Sequence, residues 1–391
     1  MTPSAFAAAP VRHLHIEPTT RCNAACPMCA RNDSGQVAPG LAMLDLDPEL
    51  LRERLVVDGP PPLAGVDLCG AYGDPAVHGD LPALLAVLRV HSPDAAISLF
   101  TNGGVRSTSW WSCLAEMLGP RGRVVFAIDG LQDTLGTYRR NVSFDKVIAN
   151  ASAFIAAGGR AEWDFLVFEH NEHQVEQAQE RAAALGFDRF NPKHSARFVK
   201  VLYEYVPEIR AGASVDRFPV CAPDGAVVGW LKPPSTSHRN SAADRLGEQI
   251  LAAGSPDPAW TATSISCQVL QNRSVFISAG GLVFPCCWTY VQATVPLRGD
   301  AAAQSERQMR ELIAEHGGQS SLDLRHHSLG AIVAGDVFTA IERSWSAPTP
   351  ADGKLRVCAR VCGEADSYRA QFADADRIPG RVGPPVPGRD G

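Results

Sequence analysis

Glu17-Pro18-Thr19-Thr20-Arg21-Cys22-Asn23-Ala24-Ala25-Cys26-Pro27-Met28-Cys29 carries three cysteines at CxxxCxxC spacing, directly after the short apolar run Leu14-His15-Ile16. Such a run reads as a buried strand, so the cysteines fall in the loop at its carboxyl end. Three thiolates in one loop leave a fourth ligand position open. A [4Fe-4S] cube held in this way keeps one iron free to bind something else. Zinc is a competing occupant, but it takes a fourth nearby Cys or His, and His13 and His15 lie upstream at poor spacing. Three unrelated buried thiols are the remaining alternative.

Downstream, Gly65-Val66-Asp67-Leu68, Ala96-Ile97-Ser98-Leu99-Phe100, Val124-Val125-Phe126-Ala127-Ile128 and residues 163–168 read as further strands. Helical patterns lie between them at 82–90, 110–118, 144–157 and 172–185, the last two closed by Gly158 and Gly186 as C-caps. Alternating strands and helices predict an α/β fold with a parallel sheet or barrel, its ligand-binding groups in the loops at the carboxyl ends of the strands. The alternation fails after about residue 205, where Pro207, Pro219, Pro223, Pro233, Pro234, Pro256 and Pro258 punctuate a loop-rich stretch. Residues 206–375 therefore read as a second, smaller α+β unit, with helices expected over 299–316 and 336–345. The stretch 376–391 is rich in Pro, Gly and Arg and is expected to be a disordered tail.

The 391 residues exceed what one ordinary domain needs, and 45% hydrophobic content is enough for a large core. A formal charge of -6 gives no broad basic field for nucleic acid. No apolar run approaches the length of a membrane span, and the patch at 5–10 has no basic segment before it, so a cytoplasmic protein is expected. In that reducing compartment eleven cysteines suggest metal ligands rather than disulfides. Eight of them cluster, at 22–29, 267–287 and 358–362, leaving Cys69, Cys113 and Cys221 scattered.

The triad and the loops after it resemble the radical S-adenosylmethionine (SAM) superfamily over about residues 10–205. The resemblance implies a partial (β/α)6 TIM-like barrel in which Cys22, Cys26 and Cys29 hold a [4Fe-4S] cluster. Its free iron would be chelated by the amino and carboxylate groups of SAM. A flavodoxin- or ferredoxin-type protein would supply one electron, and the 5'-deoxyadenosyl radical so formed would abstract a substrate hydrogen. In this family the backbone at the position of Met28 contacts the adenine. Cys69-Gly70-Ala71-Tyr72-Gly73-Asp74-Pro75 stands where the family usually carries Gly-Gly-Glu-Pro, so Gly73, Asp74 and Pro75 would meet the cofactor, with Asp74 accepting from its ammonium. Asp74 is shorter than the usual Glu, and an acidic turn residue before proline is the plainer reading. Thr101-Asn102-Gly103-Gly104 and Ala127-Ile128-Asp129-Gly130 resemble the ribose-side and substrate-side loops, which makes Asn102 and Asp129 cofactor contacts. Arg139, in Tyr138-Arg139-Arg140-Asn141, would meet the cofactor carboxylate or else be a solvated charge at a helix start.

Cys267, thirteen residues, Gly281, four residues and Cys286 resemble the opening of the auxiliary-cluster domains called SPASM and twitch. Residues 275–284 read as a hairpin turning at Gly280-Gly281. The CxxCxxxxxC run of a full SPASM domain is missing, so the resemblance implies a twitch-type site with one auxiliary [4Fe-4S] cluster on Cys267, Cys286, Cys358 and Cys362. Cys287 could replace Cys286, Cys221 could be a further ligand, and a structural zinc is the alternative. His170, Asn171 and His173 follow a strand at the rim and are candidate substrate contacts, against a helix N-cap at Asn171. Lys193 and Arg197 are candidate cationic contacts. His326-His327 has no nearby cysteine and reads as surface.

Twitch enzymes of this kind oxidise, epimerise or rearrange sugars, aminocyclitols and nucleosides in natural-product biosynthesis. About 12 residues precede the first strand, too few for a leader-peptide recognition domain, and this favours a small polar metabolite over a ribosomally made peptide. Cys69, Cys221, Tyr203 and Tyr205 are candidate hydrogen donors to a substrate radical. A non-catalytic iron–sulfur electron carrier or a zinc-binding interaction module are the readings from another class.

Overall fold

The computed structural model describes residues 4–199, 214–254, 257–261, 263–294 and 303–364. The expected tail and the donor candidates Tyr203 and Tyr205 lie outside the described residues. Six strands alternate with helices: β1 His13–Ile16, β2 Gly65–Leu68, β3 Ala96–Thr101, β4 Gly122–Ala127, β5 Ala161–Leu166 and β6 Arg189–Lys193. Each pairs in parallel with the next in chain order, which makes the open, partial (β/α)6 barrel that the sequence predicts.

The crossover after β1 contains α1 Pro48–Arg52, and those after β2 to β5 contain α2 Leu81–His91, α3 Thr108–Leu118, α4 Phe144–Ala156 and α5 Val175–Leu185. Ser107 and Ser143 cap α3 and α4 by accepting from the amides of Trp110 and Lys146. Gly186 ends α5 in the left-handed region, with φ 86°. The predicted helix at 172–185 opens as a 3-10 turn over Glu172–Gln174 before α5 begins. Strand side chains alternate between faces, and here the two faces differ in kind. Val66, Leu68, Leu99, Phe126, Trp163 and Phe165 are buried in the main apolar core with Leu84, Leu88, Trp111 and Phe154 of the helices. The opposite, inner face carries Asp67, Ser98, Arg123, Glu162 and Asp164 in the same strands.

Two further strands, β7 Phe218–Cys221 and β8 Val227–Leu231, form an antiparallel hairpin outside the main sheet. Its Phe218, Val220 and Leu231 pack with Met28, Tyr138, Phe168 and Phe198, so the hairpin lies over the cysteine loop. The predicted hairpin at 275–284 forms as β9 Ser274–Ile277 and β10 Val283–Phe284. β9 pairs in parallel with the free edge of β1, Ile16 facing Ile277, and this extends the sheet to eight strands across the expected boundary near 205. The remaining helices include α6 Ser241–Ala253, α7 Cys287–Thr294, α8 Ala303–Glu315, α9 Asp336–Arg343 and α10 Arg356–Cys362, with α10 packed against α7. Among the described residues no helix is long and apolar enough to cross a membrane.

Candidate functional site

The cysteine loop leaves β1 at Glu17 and is tied to the barrel by backbone bonds. The amide of Ala25 donates to the carbonyl of Arg140 at 3.0 Å, and the amide of Cys29 donates to that of Cys26 at 3.2 Å. Asn32 Nδ2 donates to the carbonyl of Cys26 at 3.0 Å, and Arg197 donates to that of Met28 at 3.3 Å. Cys26 and Met28 are buried, whereas Cys22 and Cys29 are half-buried. Burial, together with the charge of Asp74, pushes the Cys22 thiol up to about 12. Burial pushes Cys26 up to about 11, although the Arg139 guanidinium pulls the other way. Ala24 N–H donates to Cys22 Sγ at 3.4 Å, and side-chain donors approach Cys22 and Cys26. Soft sulfur donors with N–H groups aimed at them are the donor set of an iron–sulfur cluster. Among the described residues no three His, Cys, Asp or Glu side chains gather tightly enough to hold a single metal ion.

The loop after β2 crosses close beneath the cysteine loop. A Cβ on Gly73 would stand 1.8 Å from the carbonyl oxygen of Thr19, so only glycine fits there. Asp74 is buried and caps the turn at Pro75–Val77 through the amide of Ala76. Its two oxygens also accept from Thr101 Oγ1 at 2.8 Å, the amide of Asn102 at 2.7 Å and Asn102 Nδ2 at 2.6 Å. Burial raises the Asp74 carboxyl above the usual carboxylate range in spite of these donors. Asp129, at the end of β4, accepts from Arg139 Nε at 2.6 Å and from the amide of Leu166 at 2.7 Å. The structure thus joins Asp74 to Asn102 and Asp129 to Arg139 as pairs beside the thiols.

Asn171 is fully buried, and its amide is used within its loop: Oδ1 accepts from Phe168 N–H, and Nδ2 donates to the carbonyls of Asp129 and Leu166. His170 stacks on Phe168 with the ring centroids 5.4 Å apart. Among the described residues neither of its ring nitrogens has a partner, and burial lowers its pKa to about 4. Lys193 forms an ion pair with Asp164 on the inner face of the sheet. Cys69 follows β2, its amide donating to the carbonyl of Ile16 at 3.0 Å, and burial with the charge of Asp67 pushes its thiol up to about 12.

Sequence reasoning passed over two features. Glu17 has no exposed surface; its Oε1 accepts from the amides of Tyr72 and Gly73, while its buried Oε2 has no hydrogen-bond partner among the described residues. Burial raises it to about 7. The second is the row of polar residues on the inner face. Arg123 pairs with Glu162 at 2.9 Å and donates to Ser98 at 3.0 Å, and Asn191 donates to Asp164 at 3.1 Å. Asp67 is exposed on that face and has no hydrogen bond or ion pair among the described residues. The signal was there in the sequence, as polar residues at every second position of otherwise apolar strands.

In the second cysteine region, Cys267 precedes the short helix Gln268–Gln271, and the Cys267 thiol is raised by a hydrogen bond with Cys362 and by burial. Cys358 and Cys362 stand one helical turn apart in α10. Burial raises Cys358, and the neighbouring charges of Cys286 and Cys362 add to it. Burial also raises Cys287, whose electrostatic neighbours are Cys286, Cys69 and Glu17.

None of the curated proteins matches the sequence. Among solved structures, similarity is found to Streptococcus suis SuiB bound to S-adenosylmethionine, at 16% identity and a TM-score of 0.46, covering 75% of this chain. The chain spans 64% of the length of SuiB. Similarity is also found to anSMEcpe with bound AdoMet, at 15% identity and TM-score 0.49, covering 90% of this chain and 89% of that one. BtrN in complex with AdoMet and 2-DOIA matches at 12% identity and TM-score 0.40, covering 92% and 94%. The family model of the Radical SAM superfamily matches residues 16–182, from the end of β1 into α5. The chain therefore carries, over residues 16–182, a domain of the radical SAM superfamily.

Proposed function

We propose that this radical SAM enzyme acts on a small polar metabolite of the sugar, aminocyclitol or nucleoside type in natural-product biosynthesis, with oxidation, epimerisation or rearrangement as the outcome. When bound, a [4Fe-4S] cluster on Cys22, Cys26 and Cys29 and S-adenosylmethionine supply reductive cleavage and hydrogen abstraction, with an external flavodoxin- or ferredoxin-type protein as the electron source. The observation that carries the substrate reading is the polar inner face of the sheet. Ser98, Arg123, Glu162, Asp164, Asn191 and Lys193 bond to one another across that face, and a hydrophobic substrate would exclude water from this network and from Asp67 and leave their remaining hydrogen bonds unmade, at a cost of about 1–3 kcal/mol per group. A substrate rich in hydroxyl or amino groups returns those bonds. Asp67, without a hydrogen bond or ion pair among the described residues, suits a donor on the substrate, and Lys193 suits an acceptor.

The same reading gives an auxiliary [4Fe-4S] cluster to Cys267, Cys286, Cys358 and Cys362. The mutual electrostatic influence of these four thiols supports it, as does the different neighbourhood of Cys287. Four protein ligands leave no open iron, which suits electron transfer or structural support.

The test is 5'-deoxyadenosine formation by the anaerobically reconstituted protein with S-adenosylmethionine and dithionite, alone and with panels of sugars, aminocyclitols, nucleosides and peptides. Stimulation by members of the first three panels is expected, with Asp67→Asn and Lys193→Met each raising KM about tenfold or more through a lost charge-assisted contact. Stimulation by peptides alone would overturn the small-metabolite reading in favour of a peptide maturase. Absence of 5'-deoxyadenosine under every condition would favour a non-catalytic iron–sulfur protein.

A further inference from the structure

Two of the three loop thiols have a side-chain N–H aimed at sulfur, and each donor is fixed by a buried carboxylate. Asn102 Nδ2 lies 3.8 Å from Cys22 Sγ and 2.6 Å from Asp74 Oδ2. Arg139 Nη1 lies 3.7 Å from Cys26 Sγ, while its Nε donates to Asp129 Oδ2 at 2.6 Å. The carboxylates are themselves anchored, Asp74 by the amides of Ala76 and Asn102 and by Thr101, Asp129 by the amide of Leu166. The side chain of Asp129 is 1% exposed, so it cannot swing away to solvent. Among the described residues no side-chain donor reaches Cys29.

Metal ligands are commonly oriented from behind by groups of this kind, and hydrogen bonds and charge at the cluster sulfurs set reduction potentials. A reduced cluster carries one more negative charge than an oxidised one. A fixed N–H donor, and above all a fixed cation, therefore stabilises the reduced form more and raises the potential. Of the two donors only Arg139 is charged, since a guanidinium keeps its proton in proteins, and its Nε is paired with the Asp129 carboxylate at 2.6 Å.

We propose that Asp74 with Asn102, and Asp129 with Arg139, are two carboxylate-backed donor pairs that grip Cys22 and Cys26 and set the reduction potential of the cluster they hold, with Arg139 the dominant positioning residue. The inference rests on the radical SAM reading of the cysteine loop. It gives Asp129 and Arg139 work on the thiolates rather than on the carboxylate of S-adenosylmethionine.

The experiment is a redox titration followed by electron paramagnetic resonance on the anaerobically reconstituted full chain. The signal of this cluster is identified as the one absent from Cys22→Ala. Arg139→Gln is expected to move its midpoint to a more negative potential with iron content retained, Arg139→Lys to fall between Gln and wild type, and Asn102→Leu to give a smaller negative shift. An unchanged midpoint in Arg139→Gln with iron retained overturns the proposal. So does an unchanged midpoint accompanied by weaker S-adenosylmethionine binding, which would make Arg139 a direct cofactor contact. If Arg139→Gln fails to load iron, Arg139→Lys decides on the same criterion, and failure of both to load overturns potential-setting in favour of assembly. A wild type with no signal dependent on Cys22 is a separate result, since it removes the radical SAM reading itself.

Discussion

Glu17 follows β1, one carboxylate oxygen bonded to the amides of Tyr72 and Gly73 and the other buried with no partner among the described residues. Burial raises its pKa from 4.5 to about 7, a difference worth on the order of 3 kcal/mol. The folded chain therefore binds this proton more tightly than the unfolded chain does. Stability falls as pH rises from 4.5 through about 7, and the full cost is present above that range. Glu17→Gln keeps an acceptor for both amides and has no charge to bury. Its unfolding free energy, from denaturant titration, is expected to exceed the wild type's at pH 8.5, with the gap shrinking by about 2 kcal/mol on going to pH 5.5. A gap that is flat with pH, or one that grows toward acid, would show that Glu17 is not held in this way. Glu17 stands inside the very stretch that decides the fold, yet its role was not legible there. Its environment is made by Tyr72, Gly73 and Ala279, which chain folding alone brings to it. The cysteines differ, because CxxxCxxC spacing puts a ligand set within one loop before any tertiary contact forms.

The strands and helices of the barrel were legible because each has its own period and its own caps, as α3, α4 and α5 illustrate with Ser107, Ser143 and Gly186. The hairpin of β9 and β10 was legible too, from Gly280-Gly281 between two apolar runs. Its attachment was not. Nothing local in residues 274–277 announces a partner some 260 residues upstream, and pairing of β9 with β1 is settled by two apolar surfaces meeting across the sheet. Phe276 is the centre of that meeting: fully buried, its ring lies 4.9 Å from His15 and 5.0 Å from Tyr290. Phe276→Ala is expected to cost about 3–5 kcal/mol. Amide exchange should accelerate first in β9 and β1, ahead of β4 and β5, where hydrogen-exchange mass spectrometry would locate it. Uniform acceleration across all strands, or none, would mean that β9 is not a locally docked element.

At the scale of the molecule, that docking decides which ends of the chain meet. β9 runs parallel to β1, and the amide of Glu17 donates to the carbonyl of Ile277 at 2.8 Å, so the chain leaves both strands at the same end of the sheet. One exit leads to Cys22, Cys26 and Cys29; the other leads through β10 to Cys286 and on to α7, against which α10 brings Cys358 and Cys362. Two cysteine groups more than 200 residues apart in sequence are thus carried on from adjacent strands of one sheet, the second after β10 has turned back antiparallel to β9, and Glu17 and Cys69 are among the electrostatic neighbours of Cys287. If each group holds its own [4Fe-4S] cluster, the two sets of thiols load independently, because neither lends a ligand to the other. The reconstituted wild type is then expected to hold about eight irons, and about four should remain both in Cys22→Ala/Cys26→Ala/Cys29→Ala and in Cys267→Ala/Cys286→Ala/Cys358→Ala/Cys362→Ala. Cys287→Ala should keep all of them. Iron and sulfide analysis with visible absorption checks each number. A Cys287→Ala protein reduced to about four irons would move the auxiliary ligand from Cys286 to its neighbour. A four-cysteine variant that keeps the wild-type iron content, or a wild type with zinc in that region, would leave the open-site loop as the single cluster of the chain.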